Sequence, residues 1–406
     1  MKILVFNAGS SSHKCCLYDL PCQSLPIEPP VPEWSATLDW THQQGIAELS
    51  VKTERGDRLQ KNLAADNRSA VIAQMLETLQ QGETQVLEQF SEIDVVGHRV
   101  VHGGQAYSNS VLICPEVTQT IQQLAEFAPL HNPINLEGIA AIAEILGTVP
   151  QVAVFDTAFH AHLSAAAAIY PGPYAWVEQG IRRYGFHGIS HQYCAHRTAQ
   201  ILGQDQSSLR LISCHLGNGC SLAAIAGDRC LDTTMGFTPL EGLMMGSRSG
   251  SVDPGILLYL LRQPGSSVDS LDHTLNQDSG LKGISGISAD MRQILAAVEQ
   301  GEDRARLAFD LYIHRLRGQI GAMLAALGGL DVLVFTAGVG ENSPAVRAAA
   351  SEPFKFLGLE LDPAQNAANL IDQDIATPES TVRVVVVHTQ EDWAIAQECW
   401  RLIAQP

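Results

Sequence analysis

A chain of 406 residues favours about two domains over one, and its formal net charge of −18 argues against a nucleic-acid backbone or an anionic membrane as partner. With 46% hydrophobic and 17% charged residues it can bury full cores; the longest apolar stretch, Ile320 to Gly340, is broken by Gly328, Gly329 and Asp331 and reads as a buried helix followed by a strand, not a membrane span. Nine cysteines, an odd count without a C-x-x-C pair, fit reduced thiols in a cytoplasmic protein, and the N-terminus enters a strand with no signal-peptide layout.

The first element is an apolar strand, Ile3 to Phe6, running into Asn7-Ala8-Gly9-Ser10-Ser11-Ser12-His13-Lys14 and returning as Cys15 to Leu17. A hairpin tip made of small polar residues lets backbone N–H groups approach an anion closely. After a Pro-rich connection, Pro26 to Pro32, the segment Trp34 to Val51 alternates weakly and predicts more strand. Apolar spacing predicts helices over Arg68 to Leu79 and Leu136 to Leu146, the second ended by Gly147 and Pro150. Ile93 to Val96 is a strand leading to Gly97-His98-Arg99-Val100-Val101-His102-Gly103-Gly104, and Val152 to Phe155 is a strand ending at Asp156, near a domain boundary.

The second half restarts in the same way. Leu211 to Leu216 runs into Gly217-Asn218-Gly219 and returns at Leu222 to Ile225. Two such hairpins about half a chain apart imply a duplicated domain with phosphates bound between the copies, and so a phosphotransferase. Further on come an amphipathic helix, Ala305 to Leu327, a strand, Val332 to Phe335, followed by a Gly-rich turn and a helix from Pro344, a last strand, Val382 to Val387, and a closing helix, Glu391 to Ala404, expected to pack back on the first domain. The class is α/β, with a mixed sheet in each half.

Several residues in these turns carry candidate chemistry. Lys14 follows the first small-residue tip and can reach a phosphate as a point charge; alone it would be an ordinary surface Lys. Asn7 forms the turn or holds a metal-bound water. Gly217-Asn218-Gly219 is a strong hairpin signal in its own right, and its pairing with the first tip moves it toward phosphate binding. Cys214, His215 and Cys220 sit close together but lack the paired spacing of a structural zinc site. Gly338-Val339-Gly340-Glu341-Asn342 follows an apolar strand, a setting that suits a nucleotide but is not the dinucleotide fingerprint. Asp290, ahead of Met291 and Arg292, is in isolation a helix cap. Arg99 sits between a strand end and a Gly pair and Arg248 among Gly and Ser residues, as surface salt bridges or as forks clamping carboxylate or phosphoryl oxygens. His187, between Gly185 and Gly188, could donate to developing negative charge, and Asp156 caps a helix or orients the attacking group or a metal-bound water.

Together these segments resemble the acetate kinase family, of the acetate and sugar kinase, Hsc70 and actin superfamily. The matching pieces run in order over nearly the whole chain, and Met235-Gly236-Phe237-Thr238-Pro239-Leu240-Glu241-Gly242-Leu243-Met244-Met245-Gly246 is the most specific. The resemblance implies two ribonuclease-H-like (actin-like ATPase) domains with mixed sheets: residues 1–156 completed by a C-terminal helix 390–406, and a nucleotide-binding domain 157–389, with the active-site cleft between them. It implies reversible, Mg²⁺-dependent transfer of the γ-phosphoryl from ATP to acetate, giving ADP and acetyl phosphate, in a cytoplasmic homodimer; Mn²⁺ could replace Mg²⁺.

Residue by residue, Arg99 resembles the acetate-binding Arg, Asp156 the essential acid, and His187 and Arg248 the pair that steadies the transition state. Asn7 and Glu391 resemble the metal-site residues and Lys14 an ATP contact. His215, Leu216, Gly217, Asn218 and Gly219, then Asp290, Met291 and Arg292, then Gly338, Val339, Gly340, Glu341 and Asn342 resemble the ATP-binding segments. Val101, Leu130, Phe186 and Pro239 match the pocket for the acetate methyl. The chain departs from the family pattern at Cys220, where Ala is usual, at Ser247 for Thr, at Ser251 for Asp, and at Asp392, where a second Glu is usual. A propionate or butyrate kinase is the near alternative; a non-catalytic actin-like nucleotide-binding protein or a nicotinamide oxidoreductase are the distant ones.

Overall fold

The computed structural model describes residues 1–9, 12–41, 43, 45–65, 67–129 and 131–404. It divides into two compact units: Met1–Ala158 joined by the segment from Gln390 onward, and Phe159–Thr389.

The first unit is built on β1 (Lys2–Ala8), β2 (Ser12–Asp19), β3 (Trp34–Asp39), β4 (Ile46–Thr53), β5 (Arg58–Ala64), β6 (Val95–Val100), β7 (Val111–Leu112) and β8 (Gln151–Phe155), in the order β5-β4-β3-β2-β1-β6-β8-β7. β1 to β5 form an antiparallel meander, while β6 and β8 continue the sheet parallel to β1. β3 alternates buried and half-buried residues, but Ile3 to Phe6 on central β1 are all buried, because both faces of that strand are covered. Side chains alternate across the sheet, so Phe6 meets one helix and Val5, beside Gly97, meets another. A methyl group on Gly138, in the helix Asn132–Leu146, would stand 2.7 Å from Phe6, and one on Gly97 would stand 2.5 Å from Cys399 Sγ in the helix Glu391–Ala404.

The second unit holds β9 (Arg210–Leu216), β10 (Cys220–Ala226), β11 (Arg229–Thr233), β12 (Val332–Thr336), β13 (Gln373–Asp374) and β14 (Arg383–Val386), in the order β11-β10-β9-β12-β14-β13. Here too a three-strand antiparallel run (β11-β10-β9) is extended by two parallel strands, β12 and β14. The arrangement β3-β2-β1-β6-β8 is thus repeated as β11-β10-β9-β12-β14, and in both the small-residue tip joins the first strand to the second. The long helix Asp303–Leu327 buries its apolar stripe, including Tyr312, Leu316 and Ile320.

Two expectations need correction. The strand read as ending at Val96 continues to Val100 and carries Arg99 within it, since Gly97 allows the C-terminal helix to close on the strand. The Gly338–Asn342 run is not a turn but part of a short helix, Ala337–Asn342. The reversal after β12 is made by Ala337, whose φ of 63° is left-handed, so the glycines after it are free to be helical.

Candidate active site

In the first unit the polar residues gather at the C-terminal ends of the parallel strands. Arg99 lies one residue from the end of β6, and Asp156 directly follows β8, its N–H donating to Val100 O at 2.9 Å. Arg99 Nη2 donates to Asp156 Oδ2, and the Asp156 side chain is 1% exposed. Burial pushes the Asp156 carboxyl up to about 6; the Arg99 charge opposes this and the Glu391 charge adds to it. For Arg99, burial works against the charge, but Asp156, Glu391 and Asp392 outweigh it and raise the guanidinium pKa. Asp156 Oδ1 and Arg99 Nε are buried and without a hydrogen-bond partner, so the pair leaves one acceptor and one donor unused.

The C-terminal helix starts beside this pair with Glu391 and Asp392. Asn7 Nδ2 donates to Asp392 Oδ1 at 3.3 Å, so the amide expected at the metal engages the second acid of the helix, not Glu391. Burial and then Glu391 raise the Asp392 carboxyl, with the Asn7 amide and Lys14 opposing. Sequence reading took Asp392 only as a departure from the family pattern and gave it no role; the signal was the acidic pair itself, whose two side chains leave the helix about 100° apart. Lys14 is exposed on β2, directly opposite Asn7 in the register. Val101 is buried and its N–H donates to Asn135 Oδ1 at 3.1 Å, while Asn135 Nδ2 donates to Ala8 O at 3.0 Å, tying the end of β1 to the end of β6. Leu130 lies outside the described residues.

The donor set of Asp156 Oδ1, Glu391 and the Asn7 amide is hard oxygen, and it fits Mg²⁺. Among the described residues no three His, Cys, Asp or Glu side chains form a cage by themselves. Mg²⁺ in general binds through one or two carboxylates and completes its octahedron with water and phosphate oxygens.

In the second unit the β9–β10 tip is Gly217 to Gly219, closed by Gly217 N–H donating to Gly219 O at 3.1 Å. Gly246 N–H donates to Asn218 O at 3.0 Å, and a methyl group on Gly246 would stand 2.2 Å from Asn218 Oδ1, so the Met245 to Arg248 loop can approach the tip only without one. Arg248 is half-buried; its Nη1 donates to Pro239 O at 3.1 Å, and burial lowers its pKa. His187 sits in the left-handed region, φ 57° and ψ 25°, immediately before the helix Gly188–Leu202. Such a conformation in a non-glycine residue is uncommon and is held by its surroundings. Its Nδ1 is hydrogen-bonded to Ser221 Oγ at 2.9 Å, and its ring stacks on His215 with centroids 4.1 Å apart. A methyl group on Gly219 would lie 3.5 Å from Arg248 Nη1 and 3.6 Å from His187 Nε2, so the two side chains converge on the tip. Phe186 is buried, and its carbonyl bonds His160 Nε2 at 3.1 Å.

Next to the tip is a cavity of about 730 Å³ whose lining includes Gly217, Asn218, Asp290, Met291, Arg292, Gly338, Val339 and Asn342. Three separate stretches expected at a nucleotide thus meet at one hollow. Asp290 is also the cap of the helix Met291–Glu299: it accepts from Arg292 N at 2.9 Å and pairs with the Arg292 guanidinium. His215, Leu216, Gly340 and Glu341 do not line the hollow. Glu341 accepts from Thr389 N at 3.0 Å and bonds His388 Nδ1 at 2.7 Å, while His215 Nδ1 bonds Ser190 Oγ at 2.8 Å. Cys214 and Cys220 are buried, and burial raises both thiols.

A five-strand order that occurs twice, each time with a small-residue tip between first and second strands, is the plan of the actin-like ATPases and of the phosphotransferases built on the same fold. Within that class the chain belongs to the acetokinase family, whose family model matches residues 2–397. It is 63% identical over 403 residues to an acetate kinase of Trichormus variabilis, covering 99% of this chain and 100% of that one. The crystal structure of Porphyromonas gingivalis acetate kinase is similar with a TM-score of 0.88 at 39% identity, covering 98% of each chain. A propionate kinase from Francisella tularensis also gives 0.88, at 35% identity and 98% of each chain.

Proposed function

We propose that this protein transfers the γ-phosphoryl of ATP to acetate, reversibly, giving ADP and acetyl phosphate. The observation that carries the reading is the convergence of His187 Nε2 and Arg248 Nη1 on the Gly219 tip, beside a hollow walled by the expected nucleotide segments. Phosphoryl transfer needs little covalent work from a protein; positioning and charge neutralisation dominate. Acetate is already a carboxylate at neutral pH, so no general base is needed and Asp156 is not assigned proton abstraction.

Arg99 holds the acetate carboxylate against its repulsion from ATP, and Asp156 fixes the guanidinium fork. Val101, Phe186 and Pro239 are assigned to the acetate methyl. Arg248 and His187 donate to the phosphoryl oxygens as charge spreads over them. The Asn218 tip, Asp290 to Arg292, and Gly338, Val339 and Asn342 hold the nucleotide, with Lys14 reaching a phosphate. Asp156, Glu391 and Asn7 would hold Mg²⁺, or Mn²⁺ in its place, directly or through water, and the ion would neutralise phosphate charge.

A hydroxamate assay for acyl phosphate, run with ATP, Mg²⁺ and acetate, propionate or butyrate in turn, tests the reading. Acetate should react best, with a graded decline because one methylene in an apolar pocket is worth only about 10–200-fold. Absence of acyl phosphate with all three acids would sink it. A homodimer is supported by the helix Pro254–Leu261, which buries none of its residues and leaves Leu258 55% and Tyr259 62% exposed. Among the described residues no helix is long and apolar enough to cross a membrane, and we place the protein in the cytoplasm.

A further inference from the structure

His187, immediately before the helix Gly188–Leu202, and His191, in its first turn, both reach the same hydroxyl. Ser221 Oγ is 2.9 Å from His187 Nδ1 and 2.8 Å from His191 Nε2. The other side of His191, Nδ1, is 2.9 Å from Ser213 Oγ. The four side chains form one line, Ser213–His191–Ser221–His187, ending where His187 Nε2 meets Arg248 at the Gly219 tip.

Proton counting leaves two arrangements. Ser221 has one hydrogen, so at most one facing nitrogen can accept it, and two facing N–H groups would leave that buried hydrogen without an acceptor in the line; with neutral rings one nitrogen therefore carries N–H and the other accepts. In the first arrangement Ser213 donates to His191 Nδ1, His191 Nε2–H donates to Ser221, Ser221 donates to His187 Nδ1, and His187 keeps its proton on Nε2. In the second every bond is reversed and His187 Nε2 presents a lone pair. Ser213 decides between them. It is fully buried, and among the described residues its hydroxyl has His191 as its single partner. Reversal would turn Ser213 into an acceptor and strand its own hydrogen in the core, a state disfavoured by roughly tenfold or more. Charging the rings is opposed by the His187–His215 stack at 4.1 Å and by the Arg248 guanidinium at the same tip.

We propose that Ser213, His191 and Ser221 are positioning residues: a one-way chain of hydrogen bonds that holds His187 as the neutral imidazole with its proton on Nε2, ready to donate to the phosphoryl group. The inference rests on the proposed role of His187 as a donor. It explains why a histidine can share a tip with a half-buried arginine, since it donates a hydrogen bond without adding a second charge.

Nitrogen NMR of the full chain labelled in its histidines reads the tautomer directly, with His187 assigned by comparison with a His187→Gln sample. Near neutral pH, with and without Mg²⁺ and ADP, Nε2 should be pyrrole-like and Nδ1 pyridine-like. Ser221→Ala should give a mixture of tautomers and lower kcat about tenfold, while the acetate KM stays within about twofold. His191→Gln, which can keep an amide N–H toward Ser221, should retain most of the rate, and His191→Leu should not. A wild-type spectrum showing Nδ1–H or an imidazolium would overturn the proposal, as would a Ser221→Ala protein with unchanged tautomer and kcat. The wild-type spectrum needs no variant to fold and no turnover. A correct tautomer in a protein that makes no acyl phosphate would therefore sink the reaction and not the hydrogen-bond chain.

Discussion

His187 Nε2 and Arg248 Nη1 close on one spot: a methyl group added to Gly219 would stand 3.6 Å from the first and 3.5 Å from the second. Those are ordinary contact distances, and Gly219 does not have a left-handed φ. Gly219→Ala should therefore fold, with Tm changed by no more than about 2–4 °C. It should still lose at least about tenfold in kcat, because the methyl takes the space of a phosphoryl oxygen. Thermal unfolding and the hydroxamate assay on one sample check both halves; near-normal turnover would remove the tip from the reaction.

Arg248→Ala should lower kcat by about 10²–10³-fold and change the acetate KM much less, the pattern of a contact made in the transition state. Arg248→Lys should recover little, since an ammonium cannot reproduce the fork that also bonds Pro239 O. Steady-state kinetics in acetate decides; a rise in KM alone would move Arg248 into ground-state binding.

Arg99→Ala should weaken acetate use and also cost about 3–5 kcal/mol of stability, because it leaves the Asp156 carboxylate buried without its partner. Adding Asp156→Asn on that background should return part of the stability by removing the stranded charge. Urea unfolding of the single and double variants measures this; equal stability of the two would show that the buried pair is not coupled.

The Asp156 carboxyl is pushed from 3.8 up to about 6, first by burial and then by the Glu391 charge, with Arg99 opposing. It binds its proton more tightly folded than unfolded. Its contribution to stability is therefore complete below 3.8 and is lost as pH rises through about 6, by on the order of 3 kcal/mol. Catalysis runs the other way and should rise through the same window as the carboxylate forms. Asp156→Asn should flatten both trends, seen in kcat and in Tm against pH; an unchanged acidic limb in the variant would assign it to another group.

Leu258→Glu, on the exposed apolar helix Pro254–Leu261, should shift the protein toward a monomer, read by light scattering. Because Leu258 is 55% exposed, the isolated chain should fold as before. A dimer of undiminished strength would place the interface elsewhere.

The repeated plan was legible because each tip is a run of small polar residues between apolar strands, and no other feature of the chain has that pattern. Asp290 was legible twice over, as a cap and as part of a nucleotide segment, and the structure has it capping at the wall of the hollow. Glu341 was read with its Gly-rich neighbours, yet its carboxylate binds Thr389 N–H and His388, because a motif gives the backbone path and not where one side chain points. Asp392 was noted only as a departure from the family pattern and given no role, for the same reason: of two adjacent acids at a helix start, only packing decides which one meets Asn7. The line from Ser213 to His187 joins two strands and the start of a helix and was not read from the sequence, because the bridging hydroxyl appears only once β9 and β10 are paired.

The helix Glu391–Ala404 covers the face of β1 and β6 on which Gly97 lies, though the whole of the second unit lies between it and those strands in the sequence. During synthesis the Phe159–Thr389 unit, continuous in sequence, can complete itself while the earlier sheet still waits for its cover. A chain truncated before Glu391 has a bare apolar sheet face and neither Glu391 nor Asp392, so such a truncation should aggregate rather than give a slower enzyme.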